Sequence, residues 1–203
     1  MTERSNYFTQ QSLSGEIREA ARSGAVLVPK LLTEETVLDL QVACASLAYV
    51  LFEERHKSGV AESYFKPKQI SPRVKEQVDV LQNQFEKLVR QEGKEFLELS
   101  GWSATGSSIQ RYDQNSYITP HRDGPKYKGV VLVASIQGEA IFETSQERSG
   151  PLQNRWRVTE GDAVILRANG LTYGEEGIFH SISGALSPTP RISIGFRKNE
   201  IGK

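Results

Sequence analysis

Arg191-Ile192-Ser193-Ile194-Gly195-Phe196-Arg197 alternates strictly between polar and apolar positions. Successive strand residues point to opposite faces. One face therefore carries Ile192, Ile194 and Phe196, and the other Arg191, Ser193, Gly195 and Arg197. An earlier stretch, Ser108-Ile109-Gln110-Arg111-Tyr112, places Gln110 and Tyr112 together on one face. Between these segments lie Pro120-His121-Arg122-Asp123 and, much later, His180. A single polar-faced strand is best read as solvated. Two of them flanking a His-x-Asp and a remote histidine read as the lining of a barrel whose interior holds a polar ligand.

Outward from this stretch, period-2 patterning predicts strands over 108–113, 130–136, 140–144, 155–158, 163–166, 178–183 and 191–197. Turn signals separate them: Gln137-Gly138, Ser149-Gly150-Pro151, Glu160-Gly161-Asp162, Asn169-Gly170 and Ser187-Pro188-Thr189-Pro190. Short strands at this spacing predict an antiparallel sandwich or barrel.

The N-terminal half reads mainly as helix. Residues 12–23 form a short polar helix stopped by Gly24, and 25–29 a short strand ended by Pro29. Thr33 is an N-cap with Glu34 and Glu35 in the first turn. Val37, Leu40, Cys44, Leu47 and Leu51 then carry a helical stripe to a cationic last turn, Arg55-His56-Lys57, before Gly59. On that reading His56 is a helix-end residue and Cys44 a buried core thiol. Residues 61–68 form a mixed loop, a surface connection or a substrate lid. Ser71-Pro72 opens a second long helix whose stripe is Val74, Val78, Leu81, Phe85 and Leu88, ending near Gly93 or continuing brokenly to Leu99. Helices first and strands after give an α+β plan in which the helices pack on the outer face of the sheet. The whole chain, 1–203, is expected to be one domain: 1–107 a mainly helical buttress, 108–203 the β core.

Lys plus Arg and Asp plus Glu each number 25, so the formal charge is zero and no global footprint for a polyanion exists. The single cysteine excludes an intrachain disulfide and points to a reducing compartment. The N-terminus has no signal pattern and the longest apolar run, 47–52, is too short to cross a bilayer. A cytoplasmic protein with no membrane role and no evident obligate protein partner is expected.

His121, Asp123 and His180 together supply two imidazoles and a carboxylate, the facial triad that leaves coordination positions open on non-haem iron. On residue types alone, the plainer reading is that His121 satisfies a carbonyl and Asp123 caps the Gly124-Pro125 turn. Order and spacing then reveal a resemblance. Gln110-Arg111-Tyr112, His121-Arg122-Asp123, His180 and Arg191–Arg197 resemble the Fe(II)/2-oxoglutarate-dependent oxygenases, most closely their AlkB-like branch, over about 108–198. The last segment resembles the branch's Arg-x-Asn-x-Thr-Phe-Arg signature, departing from it at Ser193 and Gly195.

That resemblance implies a double-stranded β-helix, or jelly roll. It implies His121, Asp123 and His180 as both the catalytic residues and the ligands of Fe(II). Arg191 would hold the distal carboxylate of the cosubstrate 2-oxoglutarate and Tyr112 would hydrogen-bond to it. Arg197, Gln110 and Ser193 occupy positions near cosubstrate or substrate. With O2 as oxidant, decarboxylation to succinate and CO2 would be coupled to hydroxylation of a C–H bond. Asp123 occupies the place that halogenating relatives leave small, so hydroxylation, or demethylation through a hydroxymethyl group, is implied.

For the substrate, the chain lacks the nucleotide-recognition segment expected ahead of the core, which favours a small molecule, an anionic one included. Demethylation of alkylated nucleobases is the alternative. It is supported by Arg111, Arg122, Lys126, Lys128, Arg155 and Arg157 beside the expected mouth and by Tyr64, Phe65, Trp102 or Trp156 as stacking platforms. A non-catalytic, cupin-like metal or ligand sensor is a further alternative, opposed by the presence of both Arg191 and Tyr112.

Overall fold

A glycine in left-handed backbone sets the first turn of the chain. Helix α1 (Ser14–Ser23) ends at Gly24, φ +93°, whose N–H returns to Ala20 O at 2.8 Å. A Cβ there would meet the Ile178 side chain at 2.4 Å, so both conformation and packing demand glycine. This computed structural model describes residues 6–172 and 176–200.

The chain continues through β1 (Ala25–Val28) and α2 (Glu34–Ala45), capped by Thr33, whose hydroxyl accepts from Thr36 N at 3.2 Å. A hairpin follows, β2 (Tyr49–Arg55) and β3 (Ala61–Pro67). Helix α3 (Pro72–Gln91) is capped by Ser71 and followed by short 3-10 turns at Glu92–Lys94 and Leu97–Leu99. The strands β4 (Gly106–Tyr112), β5 (Tyr117–His121), β6 (Tyr127–Gln137), β7 (Ala140–Ser145), β8 (Leu152–Val158), β9 (Ala163–Arg167), β10 (Phe179–Ile182) and β11 (Arg191–Asn199) complete it.

These strands pair antiparallel throughout, in the order β1-β9-β6-β11-β4-β3-β5-β10-β7-β8, with β2 added on β3; a lone parallel bridge joins Lys128 to Asn169. The sheet curls into a nearly closed jelly roll, the double-stranded β-helix expected of the chain. Strand β3 joins its halves by pairing with both β4 and β5. Alternation assigns the faces. Val130, Leu132, Ala134, Ile136, Ile192, Ile194 and Phe196 point outward into one core shared with the helices. Val131, Tyr112, Phe142 and Ile182 point inward into a second. Phe85 of α3 anchors the helical layer, edge-on to Trp102 at 5.4 Å and stacked on Phe196 at 6.4 Å.

Two expectations for the N-terminal half are corrected. The helix opened by Thr33 stops at Ala45, where Ser46 caps it, and does not run to His56. Tyr49-Val50-Leu51-Phe52 is an aromatic and β-branched run, and full-length pairing with β3 outweighs a helical spacing that continued only by coincidence. Leu51, the last residue of the expected stripe, is 52% exposed. The expected mixed loop over 61–68 is strand β3. Gly59, φ +85°, sits in the hairpin turn, with its N–H bonded to His56 O at 2.9 Å. Cys44 is buried as expected, and burial pushes its thiol up to about 11. No described helix is long and apolar enough to cross a membrane.

Candidate metal centre and its cavity

Strand pairing builds the centre. His121 on β5 and His180 on β10 are direct cross-strand partners, so their side chains share one face. Their rings lie 4.2 Å apart between centroids. His121 Nδ1 is 3.0 Å from Thr119 O and His180 Nδ1 is 3.2 Å from Ile178 O. A carbonyl only accepts, so each Nδ1 carries the proton and each Nε2 presents its lone pair to the interior. Phe142 stacks on His180 at 5.7 Å and 4°. Burial drives both imidazoles toward the neutral form. His121 is lowered to about 4 by burial first and by His180 second; His180 is lowered by burial, with Asp123 opposing.

Asp123 lies two residues beyond the end of β5, in the loop that follows it. Its carboxylate still turns into the same space: Oδ2 is 3.9 Å from His180 Nε2 and Oδ1 is 3.1 Å from Arg197 Nε. Among the described residues no three His, Cys, Asp or Glu side chains stand in a ready metal-holding group. The arrangement is two converging imidazoles with a carboxylate engaged by Arg197.

Deeper in the barrel lies Arg191, 1% exposed. One guanidinium nitrogen donates to Ser135 Oγ at 3.1 Å and the group lies over the Tyr112 ring at 5.3 Å, while Nε has no partner. No carboxylate among the described residues pairs with it. Burial lowers it to about 10 against the opposing effect of Tyr112. Glu176, a carboxylate upstream of it in sequence, is engaged by Arg122, and Glu175 lies outside the described residues. Tyr112 donates to Gln110 Oε1 at 3.0 Å and its hydroxyl is raised by burial. Ser193 is buried beside them, across from Gln110 and Ser135. Gly195, at the signature's threonine place, faces Ser108, whose Oγ would lie 2.9 Å from a Cβ.

A cavity of about 450 Å³ opens over His121 and Asp123, with Glu62, Tyr64, Gln110, Lys126, Tyr127 and Arg197 among its lining. His56, expected at a helix end, lines it too, held between Glu54 at 3.2 Å and Glu62 at 3.0 Å. The 61–68 segment is thus a wall of the cavity. The sequence reading missed Glu62 and Tyr127, and gave His56 no role. Ser58-Gly59 between two runs of strand-forming residues was the available hairpin signal.

Several residues expected at the mouth are not there. Trp102 is fully buried, donating to Lys128 O at 3.0 Å. Arg155 and Arg157 pair with Glu143 and Glu139, Lys128 with Glu200, and Arg111 with Asp113 while lying over Tyr49 and Phe65. Of the six expected cations only Arg122 and Lys126 line the cavity.

No protein-family model matches the chain, and no curated protein matches it by sequence. Solved structures do match by shape. An oxidoreductase of the 2OG-Fe(II) oxygenase family from Burkholderia pseudomallei superposes with a TM-score of 0.61 at 14% identity, covering 98% of this chain and 94% of that one. The non-heme alpha-ketoglutarate-dependent carbocyclase SnoK from nogalamycin biosynthesis gives 0.63 at 12%, covering 96% and 87%. The structure of OsALKBH1 gives 0.56 at 15%, covering 87% and 97%. The chain has the fold of the 2OG-Fe(II) oxygenases over nearly its whole length.

Proposed function

We propose that the protein is an Fe(II)- and 2-oxoglutarate-dependent oxygenase acting on a small molecule. The observation that carries this reading is Arg191, a fully buried guanidinium with a free Nε and no carboxylate partner among the described residues, on the interior face of a jelly roll that also presents a histidine pair. An uncompensated buried cation is costly unless an anion meets it. The distal carboxylate of 2-oxoglutarate is such an anion, and a planar guanidinium suits two-pronged contact with it.

The residues fit the cofactor. His121 and His180 offer neutral Nε2 lone pairs with Nδ1 fixed by carbonyls, and Asp123 offers Oδ2 while Oδ1 stays on Arg197. Bound Fe(II) supplies the redox chemistry that couples decarboxylation of 2-oxoglutarate to insertion of one O2 oxygen into a substrate C–H bond. The protein's own part is orientation and exclusion. Arg197 restrains the carboxylate, Phe142 packs one face of His180, and Tyr112 with Ser135 and Ser193 surrounds Arg191 with polar partners. A small-molecule substrate is supported by the engagement of most cations in ion pairs and by carboxylates in the cavity wall. The test is succinate release from 2-oxoglutarate with added Fe(II), against His180→Ala as control. Absence of iron-dependent succinate from the wild-type protein sinks the proposal.

A further inference from the structure

Resting on that reading, the structure also points to the class of substrate. We propose that the cavity selects a small bipolar molecule, one bearing both a protonated amine and an anionic group, with Glu62 receiving the amine and Lys126 the anion.

The inference comes from which lining charges are already neutralised. Asp123 and Arg197 hold each other at 3.1 Å. Arg122 is ion-paired with Glu176, donates to Gln146 O at 3.1 Å and lies over the Phe179 ring at 4.2 Å. Two lining charges remain. Lys126 Nζ makes no ion pair or hydrogen bond among the described residues, and its nearest ring is Tyr127 at 5.1 Å. On the facing hairpin, Glu62 shares the His56 imidazole with Glu54, the two contacts being 3.0 and 3.2 Å. Two carboxylates on one imidazole leave a net negative charge whether the ring is neutral or protonated. The β3 wall is therefore acidic in either state, while the β5–β6 loop contributes an uncompensated ammonium.

Such a cavity discriminates by sign at both ends. A polyanion that satisfied Lys126 would meet Glu62 and Glu54, and like-charge juxtaposition is strongly unfavourable. A simple amine would leave Lys126 unmatched. A molecule with both charges pairs each. Tyr64 stands on the same face of β3 as Glu62, two residues along, and Tyr127 follows Lys126, so an aromatic ring accompanies each charge. Tyrosine faces accept the body of a small organic molecule and are attractive to a cation. A cavity of about 450 Å³ suits a metabolite-sized ligand.

The probes are the free proteinogenic amino acids with their N-acetyl and carboxamide derivatives, and an N-methylated oligonucleotide. Binding is read by ligand-observed NMR on the full-length protein loaded with 2-oxoglutarate and Zn(II), which prevents turnover. The expected result is binding by at least one zwitterion, weakened about tenfold or more by either blocked end, as loss of a charged hydrogen bond implies. Glu62→Gln should abolish only the discrimination against N-acetylation, and Lys126→Met only that against the carboxamide. Binding by none of the zwitterions, equal binding of blocked and free forms, tighter binding of the oligonucleotide, or equal effects of both variants on both ratios each overturns the proposal. Failure of the oxygenase reading shows separately, as absence of iron-dependent succinate release from 2-oxoglutarate without any substrate.

Discussion

Replacing Arg191 with methionine separates the two roles that a buried arginine can play. If Arg191 is a structural residue, its loss should weaken the fold. If it awaits an anion, its loss should relieve the ligand-free protein and disable it toward 2-oxoglutarate. Burial lowers the guanidinium from its ordinary value to about 10, which at 1.36 kcal/mol per unit is ~3 kcal/mol against the charged form. Methionine retains much of the side-chain volume over Tyr112 but forfeits the charged bond to Ser135 Oγ, worth about 1.5–3 kcal/mol. The ligand-free Arg191→Met protein should therefore be as stable as wild type or up to ~2 kcal/mol more stable. At this chain length that is a rise of roughly 0–8 °C in Tm.

The ligand response moves oppositely. At one hundred times its Kd, 2-oxoglutarate should stabilise the Zn(II)-loaded wild type by ~2.7 kcal/mol, roughly 5–11 °C. That shift should vanish in Arg191→Met at the same concentration. Arg191→Lys should retain part of it, since an ammonium keeps the charge but not the fork. Scanning calorimetry with and without 2-oxoglutarate measures both quantities on one sample. An Arg191→Met protein that is much less stable than wild type and still gains its full shift would refute the reasoning.

Other outcomes follow from the same geometry. His121→Ala, Asp123→Ala and His180→Ala should each abolish iron-dependent succinate formation while leaving the circular dichroism spectrum native; wild-type turnover in any one removes that residue from the centre. In chelator-treated protein, an unfolded His121 binds a proton below about pH 6.5 that the folded one refuses until about pH 4. The unfolded state thus gains protons first, so stability should fall by ~3 kcal/mol as pH drops through that window. Urea midpoints at the two ends, compared with His121→Gln, isolate this contribution; an unchanged slope in the variant refutes it. Phe85→Ala should cost about 3–5 kcal/mol, because the ring bridges α3 to Trp102 and Phe196. We propose that the chain is one domain, so a fragment beginning at Ser108 should aggregate, with Ile192, Ile194 and Phe196 stripped of cover; a soluble fragment with a cooperative melt would show two.

The β core was legible because alternation and burial carry the same message there. Arg191 and Ser193 point inward and are nearly inaccessible, while Ile192, Ile194 and Phe196 pack under the helices, as their period-2 pattern implies. The histidine pair was legible only through order and spacing; its cross-strand registry is a long-range pairing that no local pattern encodes. The placement of Asp123 has no local signature, because β5 ends at His121 and a loop delivers the carboxylate. Helix α3 announced itself through Ser71-Pro72 and a stripe that is buried throughout except for a small part of Leu88.

The hairpin was read as helix and loop, and strand β5 was not expected; the reason for the first bears on the substrate. Val37, Leu40, Cys44, Leu47 and Leu51 keep helical spacing across a boundary where the backbone changes from helix to strand. Little in the local sequence penalises a longer helix; the decision is made by Phe65, Tyr64 and Ser63 pairing back onto 51–53 and by β3 bridging β4 and β5. Such a boundary is set by tertiary contacts, which outweigh weak propensities. The same contacts bring Glu62, Tyr64 and His56 from the N-terminal half over His121 and Asp123 in the C-terminal half. The interior of the barrel, where a cosubstrate carboxylate would sit, is thus specified by the alternating strands of the C-terminal half. The wall that meets a substrate is specified by the side chains of a hairpin whose β3 strand also joins the two halves of that sheet.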